Sequence, residues 1–291
     1  MKITCIGVGN MGGAVARRLA TSQEFEVTVF DPSTTAVDKC VAAGASRADS
    51  VPVAVKDADV VLTSLPTTAL VLDTVRQLLP LISEGTIIVD ISTIDPMTAR
   101  TALDLCVEAG RSFVACPLGK TPAHAENGQI PLFVGGEAKT VATIGPLLRR
   151  MGEKTYDFGS VEAATTFKLV SNFIGMANVA VLSEGLAIAL RAGITPEAFT
   201  EALADTGAKS FQSEVRLPWM IKHDWAPRFG INLAAKDVRL AVESALHWGI
   251  PVPVGSAALS QLLSASAHGF GNEDVIAVMK AAGPIKEEDA Q

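Results

Sequence analysis

A chain of 291 residues suits about two domains of ordinary size, and its 48% hydrophobic content with only 5% aromatics requires cores that are aliphatic and rich in alanine. The formal net charge of −7, with no basic run anywhere, speaks against nucleic acid and acidic membrane surfaces as partners. The cysteines Cys5, Cys40, Cys106 and Cys116 form no CxxC pair and the four histidines fall at no metal-ligand spacing, so no metal is expected.

Scattered cysteines of this kind read as buried thiols in a reducing compartment. A strand-like run from Lys2 onward leaves no room for a leader, which makes a cytoplasmic location the expectation.

Residues 2–6 form a short β-prone run that enters Gly7, Val8, Gly9, Asn10, Met11 and Gly12, after which 13–20 continues as a helix. Strand, G-x-G-x-x-G turn and helix stand in the order a dinucleotide site requires. The first glycine permits the tight turn, the second lets backbone approach a pyrophosphate, and the third allows close packing, with the anion on the positive end of the helix. A second strand over 26–30 ends in Asp31, whose carboxylate can accept both ribose hydroxyls of an adenosine and would repel a 2′-phosphate. That combination points to NAD. The competing reading of Asp31 is a turn or cap residue ahead of Pro32.

Strand and helix signals then alternate. Strands are expected over 59–66, 86–93, 112–116, 131–136 and 155–158, with helices over 70–79 and, after Pro96 in its first turn, 97–108. Such βαβ repetition means an α/β fold with a doubly wound parallel sheet of the Rossmann type, in which ligands lie beyond the carboxyl ends of the strands. The segments after Leu65, Ile91 and Cys116 are therefore expected to line one crevice.

The stretch 163–190 contains no proline and carries apolar residues around nearly the whole circumference of the helix it would make, so burial on several sides is expected. Lys168 is its only cation, and Asn172 follows one turn later on the same face. A lysine near a helix start ordinarily points into water. Among Phe167, Leu169, Phe173 and Ile174, however, it must snorkel or pair, and desolvation brings a lysine toward the range useful for proton transfer. Interruption by Asn172, Asn178 and Glu184 makes the run too short for a bilayer, which takes about 20 residues. Beyond 190, helical periodicity with caps such as Thr195 continues to 282, so an all-α domain is expected. The boundary falls at 159–162, giving domains over 1–160 and 161–291, with a polar, frayed tail over 285–291.

In order, the Gly7 to Gly12 turn, the 90–96 segment Asp-Ile-Ser-Thr-Ile-Asp-Pro, the 168–172 segment Lys-Leu-Val-Ser-Asn, and Lys236 with Asp237 ahead of an apolar helix resemble the β-hydroxyacid dehydrogenases, the group of 3-hydroxyisobutyrate dehydrogenase. The resemblance spans nearly the whole chain. It implies a Rossmann domain joined by a long helix to a helical domain that also makes a homodimer or homotetramer contact, with NAD as hydride carrier and a small anionic substrate. By the same implication Lys168 is the catalytic acid/base, Asn172 orients the substrate, Lys236 lies near nicotinamide and substrate, and Leu65, Pro66 and Thr93 sit along the cofactor.

One motif departs from the family pattern Asp-Ala-Pro-Val-Ser-Gly-Gly, whose serine and glycines hold the substrate carboxylate. Here 115–121 reads Ala-Cys-Pro-Leu-Gly-Lys-Thr, so Gly119 stands at the serine position, followed by Lys120 and Thr121. This Gly-basic-Thr triplet resembles the sulfolactaldehyde reductase branch, with a roomier pocket and Lys120 as partner for a sulfonate. The alternatives are a solvent-exposed Lys120 and a carboxylated substrate such as 3-hydroxyisobutyrate or 4-hydroxybutyrate with its semialdehyde. Imine reductases share the architecture but generally lack a lysine at the place of Lys168. Decarboxylating 6-phosphogluconate-type enzymes typically carry histidine where Ser171 stands, and a non-catalytic NAD-binding module would not need Lys168.

Overall fold

In the computed structural model the described residues are 1–281, and the stretch 285–291, expected to fray, lies outside them. Eight strands occur among them: β1 (Lys2–Ile6), β2 (Glu26–Phe30), β3 (Ser46–Arg47), β4 (Val60–Thr63), β5 (Ile87–Asp90), β6 (Ser112–Ala115), β7 (Pro131–Val134) and β8 (Lys154–Asp157). The helices interleaved with them are α1 (Asn10–Ala20), α2 (Thr34–Val41), α3 (Val51–Val55), α4 (Thr68–Leu78), α5 (Pro96–Glu108), α6 (Pro122–Glu126), α7 (Ala138–Thr143) and α8 (Gly145–Met151). After β8 the described chain carries only helices: α9 (Val161–Arg191), α10 (Pro196–Ala204), α11 (Phe211–Ile221), α12 (Ile231–His247), α13 (Pro253–Ala265), two short irregular turns and α14 (Val278–Ala281).

The main sheet has the order β3-β2-β1-β4-β5-β6, and every neighbouring pair is parallel. Valine and isoleucine dominate β4 and β5, and all residues of both strands are buried. Parallel strands covered by helices on both faces require that pattern. Successive residues serve opposite layers. Cys5, Val29 and Val89 pack with Ala14, Val15, Leu19 and Met151 on one side. Ile6, Val61 and Ile88 pack with Val71, Val75, Ala99 and Ala102 on the other. The chain leaves β1 toward β2 and returns to β4 on its far side, so the order reverses between β1 and β4, the place where such sheets open a crevice.

The expectation for 131–136 and 155–158 needs correction in one respect. Both are strands, but they do not continue the doubly wound sheet; β7 and β8 pair in parallel with each other in a separate two-stranded sheet. Residues leaving β6 turn back beside β7, with antiparallel bridges from Ala115 to Gly135 and from Leu118 to Leu132. The two-residue strand β3 carries no hydrophobic alternation and was not expected.

The chain divides into two compact units, Met1–Lys168 and Leu169–Gln291, the division falling inside α9. Within the second, Met176, Val179 and Leu186 of α9 share a core with Leu217, Met220, Val238, Leu262 and Ile276.

Two expectations for the long helix fail. At 31 residues α9 is long and apolar enough, by length and composition alone, to cross a membrane, a test that core helices of globular domains also pass. Asn172, Asn178 and Glu184 do not shorten it, because such side chains leave the i to i−4 ladder intact where a proline would break it. Nor is it enclosed on several sides: 39% of its most apolar window is buried, and Phe167, Val170, Ile174, Val181 and Ile188 are exposed.

Candidate active site

The glycine turn is built by close approach. Gly7 has φ +83°, and a Cβ there would lie 2.2 Å from the Ser64 carbonyl oxygen. A Cβ on Gly12 would meet the Gly7 carbonyl oxygen at 2.2 Å and Ser64 Cβ at 2.7 Å, so the start of α1 can press onto the turn only without side chains. Gly9, in contrast, is exposed and a Cβ there would meet nothing within 4 Å. It forms the N-cap of α1, no side chain caps that end, and the first turn holds no acid. Open space over uncapped backbone N–H groups, formed by Gly9, Asn10 and Met11, fits the pyrophosphate of a dinucleotide.

Asp31 stands where β2 ends, beside this turn. Its Oδ2 accepts from the Val8 N–H at 2.8 Å and its Oδ1 from the Ser33 N–H at 2.8 Å. The turn role weighed in the sequence is therefore present, and it orients the carboxylate; each oxygen retains a lone pair for a ribose hydroxyl.

The carboxyl ends of β4, β5 and β6 are bound together around Asp90, which is 1% exposed. Its Oδ1 accepts from Thr63 Oγ1 at 2.7 Å and from Ser92 Oγ at 2.6 Å, and its backbone oxygen accepts from the Cys116 N–H at 2.7 Å. Ser92 Oγ in turn accepts from the Leu65 N–H at 2.8 Å. The segments after Leu65, Ile91 and Cys116 thus lie side by side, with Leu65 and Thr93 half-buried and Pro66 exposed. Burial first, and Asp90 second, push the Cys116 thiol up to about 12, so it is no nucleophile.

The substrate-loop triplet is tied into its surroundings. Lys120 is exposed, with φ +62°, and its Nζ donates to Glu153 Oε1 at 2.6 Å and to the Gln129 carbonyl at 2.7 Å. Lys120, expected as a partner for the anionic end of the substrate, thus has an acidic partner of its own in this structure, and the left-handed backbone aims the side chain at the start of β8. Gly119 leaves no added room either, since a Cβ there would lie 2.6 Å from Pro131 Cγ and 3.3 Å from Phe133 Cζ. Serine would not fit without a shift. Thr121 is hydrogen-bonded through Oγ1 with His124 Nδ1 at 2.7 Å.

On α9, Lys168 and Asn172 are half-buried and one turn apart. In the second unit, Asn172 Nδ2 donates to Asp237 Oδ2 at 2.6 Å, and Lys236 Nζ lies 2.9 Å from Asp237 Oδ1. Asn172 and Lys236, which the sequence singled out separately, are thereby joined through one carboxylate. Asp237 itself is 2% exposed; the sequence marks it only as the neighbour of Lys236, and an acid on the apolar face of an amphipathic helix is the signal that points to it. Among the described residues no group of His, Cys, Asp and Glu could hold a metal ion.

Comparison with known proteins covers both halves. The family model described as the NAD binding domain of 6-phosphogluconate dehydrogenase matches residues 2–159, and that described as NAD-binding of NADP-dependent 3-hydroxyisobutyrate dehydrogenase matches 163–282. The chain is similar to an NAD-dependent L-serine dehydrogenase of Pseudomonas aeruginosa, 31% identical over 98% of this chain and 99% of that one. It is similar to a 3-sulfolactaldehyde reductase of Escherichia coli, 28% identical over 96% and 94%. Among solved structures, a Mycobacterium tuberculosis 3-hydroxyisobutyrate dehydrogenase with L-serine superposes with a TM-score of 0.89 at 25% identity, covering 97% of this chain and 99% of that one.

Proposed function

Because the chain belongs to the β-hydroxyacid dehydrogenase family and is an NAD-dependent oxidoreductase acting on a hydroxy acid, we propose that its substrate is a short carboxylated 3- or 4-hydroxy acid or the corresponding semialdehyde. The observation that carries this reading is the array at the family positions: Lys168 one turn from Asn172, and Asn172 and Lys236 both held by buried Asp237.

The dinucleotide, when bound, supplies the hydride to the aldehyde carbon or accepts it from the alcohol. Lys168 Nζ gives a proton to the developing alkoxide in reduction and takes it from the hydroxyl in oxidation, so the proton and hydride balance in both directions. Asn172 orients the substrate, with its amide turned by Asp237. Gly7, Val8, Gly9, Asn10, Met11 and Gly12 would hold the pyrophosphate, Asp31 the ribose, and Leu65, Pro66 and Thr93 the remainder of the dinucleotide, and by the family resemblance Lys236 would serve nicotinamide and substrate.

The sulfonate alternative draws support from the Gly119, Lys120, Thr121 triplet and from the similarity to the Escherichia coli reductase. The Lys120–Glu153 pair and the crowding at Gly119 favour the carboxylate class, because the charge and the space a sulfonate would need are both committed. A homo-oligomer is supported by the exposed Ile174, Val181 and Ile188, which recur every seven residues on α9. A reducing, cytoplasmic setting is supported by four cysteines that are all free and buried. The deciding experiment follows NADH absorbance with L-serine, 3-hydroxyisobutyrate, 4-hydroxybutyrate, their aldehydes and 3-sulfolactaldehyde. A kcat/KM for 3-sulfolactaldehyde well above every carboxylate would overturn the preference.

A further inference from the structure

We infer that Ser92 is a positioning residue for the dinucleotide crevice, holding the turn at 64–66 against the glycine turn through the Leu65 amide. The inference rests on the reading of Leu65 and Pro66 as residues along the cofactor. Ser92 is 4% exposed and has one hydroxyl proton. That proton is committed to Asp90 Oδ1 at 2.6 Å, so a lone pair of Oγ faces the Leu65 N–H at 2.8 Å. Asp90 Oδ1 also accepts from Thr63 Oγ1 at 2.7 Å and from the Ser92 N–H at 3.3 Å, so its place does not hang on any one donor, and the hydroxyl of Ser92 is a directed link rather than a free rotor.

The link matters because of what lies on the other side of the turn. The parallel ladder ends with the Ser64 N–H donating to the Ile6 carbonyl at 2.9 Å, and Leu65 is the first residue beyond it. A Cβ on Gly7 would touch Ser64 O at 2.2 Å and Leu65 Cδ2 at 3.3 Å, and one on Gly12 would touch Ser64 Oγ at 2.9 Å. Ser64 and Leu65 therefore sit with no slack between the glycine turn and the Asp90–Ser92 strut. Without the hydroxyl of Ser92, the Leu65 N–H loses its acceptor, and the turn rotates to find water. The wall of the crevice moves with it.

The test is titration of the purified protein with NADH, followed by nucleotide fluorescence, alongside KM for NADH and kcat. Ser92→Ala should raise the Kd for NADH about five-fold or more, the order expected from one lost buried hydrogen bond, with KM rising and kcat retained. Ser92→Cys, nearly isosteric with a weaker acceptor, should move Kd in the same direction and serves if the alanine variant fails to fold. Thr63→Val removes a donor to the same Asp90 oxygen without touching Leu65, and its Kd should stay within about two-fold of wild type. Unchanged Kd in both Ser92 variants would overturn the inference, as would an equal rise in Thr63→Val, which would mean general loosening around Asp90. Wild-type protein that failed to bind NADH would remove the cofactor reading as well, so the two failures are distinguishable.

Discussion

The amide of Asn172 donates to a carboxylate that water scarcely reaches: Nδ2 lies 2.6 Å from Asp237 Oδ2, and Asp237 is 2% exposed. The other oxygen of that carboxylate is 2.9 Å from Lys236 Nζ. The same carboxylate thus accepts from the amide of Asn172 and lies beside the ammonium of Lys236. Asp237→Ala should lower kcat/KM roughly 10- to 100-fold, the worth of one charge-assisted hydrogen bond, while the Kd for NADH stays near wild type. Retained kcat/KM would mean that Asn172 is oriented by another group.

Lys168 carries the proton in the proposed reaction. Lys168→Met keeps the length and apolar stem of the side chain, so Tm and NADH binding should be preserved while kcat drops at least about 10²-fold, the usual contribution of a positioned acid or base. Near-normal turnover in this variant would remove the assignment.

Asp31 is held by two backbone N–H groups at the end of β2. Its fixed negative charge should favour NAD(H) over NADP(H), and Asp31→Asn should narrow the ratio of the two kcat/KM values by relieving repulsion of the 2′-phosphate. A wild-type preference for NADPH would place that carboxylate elsewhere than at the ribose.

Lys120 combines a partly exposed ion pair, with side-chain exposures of 31% and 49% for it and Glu153, and a left-handed backbone. The pair is worth up to about 1 kcal/mol, and the backbone costs about 1–2 kcal/mol in any residue with a Cβ. Lys120→Ala should therefore lose up to about 1 kcal/mol in denaturant unfolding. Lys120→Gly relieves the backbone and should come out near neutral or more stable. KM for carboxylated substrates should change by less than about three-fold in either variant. A large rise in KM with unchanged stability would return Lys120 to the substrate.

Much of this is legible in the sequence, for reasons that differ from element to element. The Gly7 to Gly12 turn carries its geometry in its spacing, and β4 and β5 announce themselves as short runs of branched residues between turn signals. Partner identity is not written locally. Nothing in 131–136 says that β7 pairs with β8 rather than with the main sheet, because a strand has the same pattern whichever neighbour it takes. The same gap hid the Lys120–Glu153 pair, whose members stand 33 residues apart, and the link between Asn172 and Asp237, 65 residues apart. Lys120 was legible as unusual, but the sign of its backbone angle, which decides where it points, was not.

The all-parallel order of the main sheet has a consequence for how the chain reaches this state. A parallel pair cannot close through a hairpin, so β1 must wait for partners far along the chain: Ile3 pairs with Val27 and with Val60. Contacts of such sequence separation are entropically late, and domains dominated by them fold slowly. Until β4 arrives, one edge of the apolar strand β1 stays open to any other extended segment. The tight fit of Ser64 between Gly7 and Gly12, which shapes the crevice in the finished molecule, therefore has to wait until β4 has joined β1.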